Sequence, residues 1–137
     1  YFKAHNCDYL DVETLKKMNK AGVAAINVAP ELGVVETKEL LKQLSYNLEM
    51  YSEFIKIAFN SDKWQKWMDR DNNSKNFHIN QDTDFYKAQI AGHYVFNHPK
   101  VLEIKKNAQE KLDLGLALKN AVKDRIKYYL SNLGWAC

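Results

Sequence analysis

Apolar and polar positions along this chain fall into two regimes. In the first part, short apolar runs alternate with amphipathic stretches. Tyr1-Phe2-Lys3-Ala4-His5 reads as a short strand, Asn6-Cys7-Asp8-Tyr9 as a polar loop, and Asp11 to Lys20 as a helix. Gly22 ends that helix as a left-handed cap. A second strand, Val23 to Val28, runs into the loop Ala29-Pro30-Glu31-Leu32-Gly33 and a long helix beginning near Glu36. Strands alternating with helices at this spacing predict parallel strands joined by helical crossovers.

Beyond that point the period is helical throughout. Leu41, Leu44, Leu48, Tyr51, Ile55 and Phe59 recur at steps of three and four, predicting one amphipathic helix from Glu36 to Phe59. Ser61 or Asp62 caps a short helix carrying Trp64, Trp67 and Met68, and Asp69 to Gln81 reads as a polar loop. Asp82-Thr83-Asp84 opens a helix through Phe96 that Asn97-His98-Pro99 stops, because the residue before proline avoids helical angles. Val101 to Leu112 and Leu116 to Leu133 complete the pattern, the last helix burying Leu118, Val122, Ile126, Tyr129 and Leu133.

The expected fold class is α/β: the last two strand–helix units of a (β/α)8 TIM barrel followed by a mainly helical extension. The barrel part is expected over residues 1–59 and the extension over 60–137. Two parallel strands alone leave faces and edges uncovered, and a full barrel takes about 250 residues. The chain begins at Tyr1, directly inside a strand. It therefore reads as the carboxyl-terminal part of something larger, or as a chain that depends on partner strands.

Chemistry in parallel α/β folds sits at the carboxyl ends of the strands, where His5 and Asn27 stand. Residues two apart on a strand share a face. If Phe2 and Ala4, with Ala24, Ile26 and Val28, pack against helices, then Lys3, His5, Ala25 and Asn27 face a barrel interior. An unpaired polar group there costs roughly 2–7 kcal/mol, which a ligand site would explain; the plainer alternative is that these side chains satisfy one another. Lys3, Asn6, Asp8, Asn27 and Glu31 are the candidate substrate-binding residues, and His5 is the candidate zinc ligand through a neutral ring nitrogen. Zinc needs two further protein ligands, and none stands at motif distance from His5. Asn6, Cys7 and Asp8 could present backbone N–H groups to an anion. Asp8 and Tyr9 read equally well as a helix cap and a packing ring.

Charge adds little: 20 basic and 17 acidic residues leave +3, too small an asymmetry to imply nucleic acid or an anionic membrane. Cys7 and Cys137 do not make a disulfide framework. No apolar run approaches a membrane span and no signal peptide is visible, so a cytoplasmic location is the default. Asp69-Arg70-Asp71-Asn72-Asn73 begins like a calcium loop, but Ser74 replaces the required glycine and Asn80 the closing glutamate. Lys63-Trp64-Gln65-Lys66-Trp67 reads as a packing stripe rather than a single-strand-binding platform. His93 and His98 are five apart and do not share a helix face, and His78 falls in the polar loop.

His5-Asn6-Cys7-Asp8-Tyr9 followed by Asn27-Val28-Ala29-Pro30-Glu31-Leu32 resembles the closing barrel units of the tagatose-bisphosphate aldolase accessory (non-catalytic) subunit family. His5, Asp8 and Tyr9 match its His-x-x-Asp-Tyr loop, and Val28, Pro30 and Leu32 its Val-x-Pro-x-Leu turn. The run Asp124-Arg125-Ile126-Lys127-Tyr128-Tyr129 looks like the family's helical tail. The resemblance implies a fold shared with class II, zinc-dependent sugar-bisphosphate aldolases, a sugar-phosphate ligand, an oligomer, and an upstream barrel half or catalytic aldolase subunit as partner. In catalytic relatives a zinc-binding histidine precedes a glycine-rich phosphate loop, and an Asn-Ile/Val-Asp-Thr segment touches substrate. Here Asn6-Cys7-Asp8 replaces the glycines and Ala29-Pro30 replaces Asp-Thr, and proline offers no N–H to an anion. The expected function is thus a subunit that supports, rather than performs, aldol cleavage; a catalytic member would be a class II aldolase-like lyase. The rival expectations are a helical interaction module without chemistry and a barrel isomerase or epimerase acting on sugar phosphates.

Overall fold

A computed structural model describes residues 2–67 and 83–135. The protein is mainly helical, with one small parallel sheet. Strand β1 (Phe2–Ala4) leads to α1 (Val12–Lys20), which returns to β2 (Val23–Ile26). The strands pair in parallel, with Lys3 opposite Ala25 and Ala4 opposite Ile26. The ladder continues past them: Asn27 N–H donates to the Ala4 carbonyl and Cys7 N–H to the Asn27 carbonyl, both at 3.0 Å. Asp11 caps α1 by accepting from the Thr14 N–H at 2.7 Å. Gly22 follows the helix at φ 77°, the left-handed closure that its sequence position predicts.

Helix α2 (Pro30–Leu44) and helix α3 (Leu48–Asn60) replace the single helix expected from Glu36 to Phe59. Proline at its first position starts α2 six residues early, with φ already helical and no N–H to satisfy. The chain then breaks at 45–47, where the Asn47 side chain accepts from the Met50 N–H at 3.1 Å and begins α3 anew. The apolar period runs unbroken across this turn, so spacing alone hides it. The consequence falls on Leu48, which is 75% exposed rather than part of the buried face, whereas Leu44 is fully buried.

A single 3-10 turn at Gln65–Trp67 carries Trp67, and Trp64 stacks on Phe59 with ring centroids 5.6 Å apart. Met68, the asparagine-rich stretch, the calcium-like run, His78 and Asp82 lie outside the described residues. Thr83 caps α4 (Asp84–Ala91), which gives way to a 3-10 turn at Gly92–Val95 instead of continuing to Phe96. A Cβ at Gly92 would lie 2.3 Å from Thr37 Cγ2, so only glycine lets this turn approach α2 so closely. Nearby, His93 packs on Gly33, and burial together with the Lys66 charge lowers its pKa. Helix α5 (Pro99–Gln109) begins at His98, whose Nδ1 accepts from the Lys100 N–H. Helix α6 (Leu114–Asn132) begins at its Asp113 cap, two residues before the expected start.

The main core joins Leu40, Leu41 and Leu44 of α2 with Phe54, Ala58, Val101, Ile104, Leu114 and Leu118. A second cluster sets Leu15 of α1 against Tyr129 and Leu133, with Ile26, Val28 and Trp135 packed on it. Helix α6 therefore serves the helical core with its first half and the sheet with its second. Ile26 and Val28 lie on the packed side as alternation predicts, but Phe2 is 72% exposed, Ala24 is exposed, and Ile126 is 40% exposed. A register irregularity between Phe2 and Lys3 breaks the alternation of β1. Among the described residues no third strand borders either edge, and no helix is long and apolar enough to cross a membrane.

Replacing Leu44 by alanine should destabilise the fold by about 2–5 kcal/mol, and Leu48 by alanine by no more than about 0.5 kcal/mol. Urea denaturation of the two variants measures both.

Candidate functional site

The loops that follow β1 and β2 interlock. Residue Ala29 occupies the cap position of α2 but has no side-chain oxygen, so the first amides of the helix need an acceptor from elsewhere. Asp8 supplies it from the preceding loop: its Oδ1 accepts from the Ala29 N–H at 3.1 Å and the Glu31 N–H at 2.9 Å. Asp8 thus acts as a helix cap, although for α2 and not for the helix that follows it. To reach this position the loop turns sharply, with Asn6 at φ 56° and Tyr9 at φ 61°. Asparagine tolerates that region; tyrosine does so at some strain.

Glu31 answers in the other direction. Its carboxylate is 3% exposed and accepts from the Tyr9 N–H at 2.6 Å. The same oxygen accepts a hydrogen bond from the Tyr129 hydroxyl, while the second oxygen meets the Arg125 guanidinium in an ion pair. Arg125 stacks over Tyr128, 4.1 Å from the ring centroid, and the Tyr128 hydroxyl donates to the Leu10 carbonyl at 3.1 Å. Residues of α6 thereby close around both loops. Tyr9 keeps 45% of its surface exposed; desolvation of the rest, followed by the Glu31 charge, pushes its phenol above the ordinary range. Tyr129 is raised in the same direction by burial and by its bond to Glu31.

Of the six residues singled out from sequence, the structure joins two, Asp8 and Glu31. Both are occupied by protein partners. Lys3 is exposed within β1, and His5, Asn6 and Asn27 are exposed just beyond the strands, with Asn27 engaged through its backbone. Cys7 is buried beneath them, its thiol 3.6 Å from the His5 carbonyl. Among the described residues no group of three or more His, Cys, Asp or Glu side chains is placed to hold a metal ion. His5 is the donor available at the strand ends, and a zinc there would take its remaining ligands from outside the described residues.

Arg125 and Tyr129 join this site although no motif in the sequence marks them for it. A signal existed: the chain has 18 lysines and only two arginines, Arg70 and Arg125. A planar, weakly hydrated guanidinium is the cation suited to a buried carboxylate, so a lone arginine beside two tyrosines marks a buried partner.

Comparison with protein-family models, curated proteins and solved structures returned no match to this chain.

Removing Arg125 leaves the Glu31 carboxylate buried and short of a charge partner. Arg125→Leu should cost about 3 kcal/mol in chemical denaturation, with Arg125→Lys recovering only part of it. The tyrosines set an alkaline limit. Unfolded tyrosine ionises near 10, while Tyr9 and Tyr129 hold their protons to higher pH when folded. Their contribution is complete below about pH 10 and is lost as pH rises further. Stability measured against pH should fall on that alkaline side, less steeply in Tyr129→Phe.

Proposed function

We propose that this chain forms the closing strand–helix units and helical tail of a (β/α)8 barrel of the tagatose-bisphosphate aldolase accessory type. On this reading it supports a class II aldolase in sugar-phosphate metabolism. The observation that carries the reading is where three separate sequence segments meet. The His5–Tyr9 loop, the Val28–Leu32 turn and the Asp124–Tyr129 run are the segments that bear the family resemblance. They lie far apart in sequence, yet Asp8, Tyr9, Glu31, Arg125 and Tyr129 form one connected set of hydrogen bonds and charges.

The open sheet supports the same reading. Parallel strands are ordinarily covered on both faces and flanked at both edges, whereas β1 leaves Phe2 and Lys3 exposed. Further barrel strands, from the same polypeptide or a partner, would cover them. They would also place Lys3, His5 and Asn27 around a shared pocket at the strand ends. Lys3 would there offset a phosphate charge and Asn27 would hydrogen-bond a sugar hydroxyl. A zinc held by His5, with ligands from other strands, would supply Lewis-acid polarisation of a carbonyl.

A supporting role is favoured over catalysis by the fate of Asp8 and Glu31. Asp8 takes up amides at the start of α2 that could otherwise meet an anion, and Glu31 is sealed among protein partners. Both act as braces for the loops rather than as free substrate ligands.

The test mixes the full-length protein with a class II tagatose-bisphosphate aldolase catalytic subunit and follows cleavage of tagatose 1,6-bisphosphate. The expected result is a stable complex with raised or longer-lived activity, and no cleavage by this protein alone. His5→Ala should leave that support intact. Failure to form a complex or to alter activity would overturn the accessory reading; zinc-dependent cleavage by this protein alone, abolished by His5→Ala, would replace it with a catalytic one.

A further inference from the structure

Between α4 and α5 the chain makes a 3-10 turn, Gly92–Val95, that is pressed closely against α2 and α3. Gly92 fits there because it has no side chain: a Cβ would stand 3.0 Å from Phe54 Cζ and closer still to Thr37. His93 closes the contact from the next position, where a Cβ on Gly33 would lie 2.5 Å from its ring Cγ. Val95 and Phe96 then turn into the helical core, with the Phe96 ring centroid 6.4 Å from that of Phe54. The turn thus covers Thr37 and Phe54, both fully buried, and His93 stands at its edge.

The His93 ring is held in one protonation state. Its Nδ1 is buried and has no hydrogen-bond partner among the described residues, so a proton placed there would find no acceptor. The groups packed around it offer no compensation. From α2 the ring meets Gly33, and Glu36, one turn further along, makes no ion pair with it. From its own turn it meets Tyr94, with ring centroids 4.0 Å apart. From the Gln65–Trp67 turn comes Lys66, whose ammonium lies 4.5 Å from the Tyr94 centroid and 5.0 Å from that of Trp67. A positive charge on the imidazole would therefore meet an ammonium held in place by two aromatic faces, with no carboxylate paired to the ring among the described residues.

We propose that His93 is an acid-sensitive catch: proton uptake by its ring frees residues 92–96 from α2 and uncovers Thr37 and Phe54. The direction follows from linkage. An unrestrained histidine takes up its proton near about pH 6.5, and in the closed turn burial, followed by the Lys66 charge, lowers that value. The contact is at full strength above about pH 6.5 and weakens as pH falls below it, because the open form binds the proton first. From about pH 7.5 to about pH 5.5 the ratio of open to closed turn should rise by up to about tenfold, the limit reached when the closed form stays unprotonated. The inference does not depend on the barrel reading, because no residue of the strand ends takes part.

Hydrogen exchange of the full chain, followed by mass spectrometry at about pH 7.5 and about pH 5.5 and corrected for the intrinsic rate, reads the opening directly. Peptides covering Gly92 to Phe96 should lose up to about tenfold in protection on acidification, while those of α6 hold theirs. In His93→Phe, which keeps a ring without a titrating nitrogen, that loss should vanish. Circular dichroism melting at the higher pH checks that the variant is folded; if it is not, His93→Gln takes its place with the same expected result. An equal loss in the folded variant would overturn the proposal. So would protection of the turn that does not change with pH, or a loss shared evenly by α6, which would mark acid weakening of the whole fold.

Discussion

A carboxylate removed from water must find its hydrogen bonds and its counter-charge inside the protein, and Glu31 imposes that demand on everything near it. It sits in the first turn of α2 and is almost wholly buried. An uncompensated charge there would cost several kcal/mol, so the chain brings three donors to it. One is the Tyr9 amide, which requires the first loop to adopt left-handed angles. The others are Arg125 and Tyr129, one turn apart on the last helix. The curvature of the first loop, the start of α2 and the seating of α6 are thereby solved together.

That arrangement explains how so small a sheet holds its place. Two short parallel strands have little stability of their own. Here β2 packs Ile26 and Val28 onto Leu15, Tyr129 and Leu133. The Asp8 and Glu31 brace then fixes the loops beyond the strands. Helix α6 carries the load between regions, with Leu114 and Leu118 in the helical core and Tyr129 and Leu133 beneath the sheet. Lys3, exposed within β1, and His5 and Asn27, exposed just beyond the strands, are held on a scaffold braced by Asp8, Glu31, Arg125 and Tyr129. On the proposed reading, adjoining strands would complete that surface.

Much of this was legible in the sequence because the signals were local. Alternation of short apolar runs with helical periods gives β1, α1 and β2, and Gly22 marks its turn through a backbone angle that glycine adopts freely. The helices of the second half follow from spacing of three and four. Where local signals conflict with longer patterns, the reading fails. Asn47 is a helix cap, but the leucine period runs straight through it, so two helices look like one. Pro30 looks like a loop residue because its cap is Asp8, 22 positions earlier in the chain. The partners of Glu31 are harder still: Arg125 lies 94 positions away, and no periodicity links them. Only the choice of arginine in a lysine-rich chain hints at a buried partner.

Glu31 locks the loops to the last helix, so that they open only when the fold does. Native-state hydrogen exchange at the Tyr9 amide tests it most directly, since that N–H donates to the Glu31 carboxylate and lies outside any helix or strand. The expected result is protection approaching that of the core amides of α6, lost selectively when Arg125 is replaced. Exchange at the rate of a solvent-exposed loop, while α6 stays protected, would contradict it.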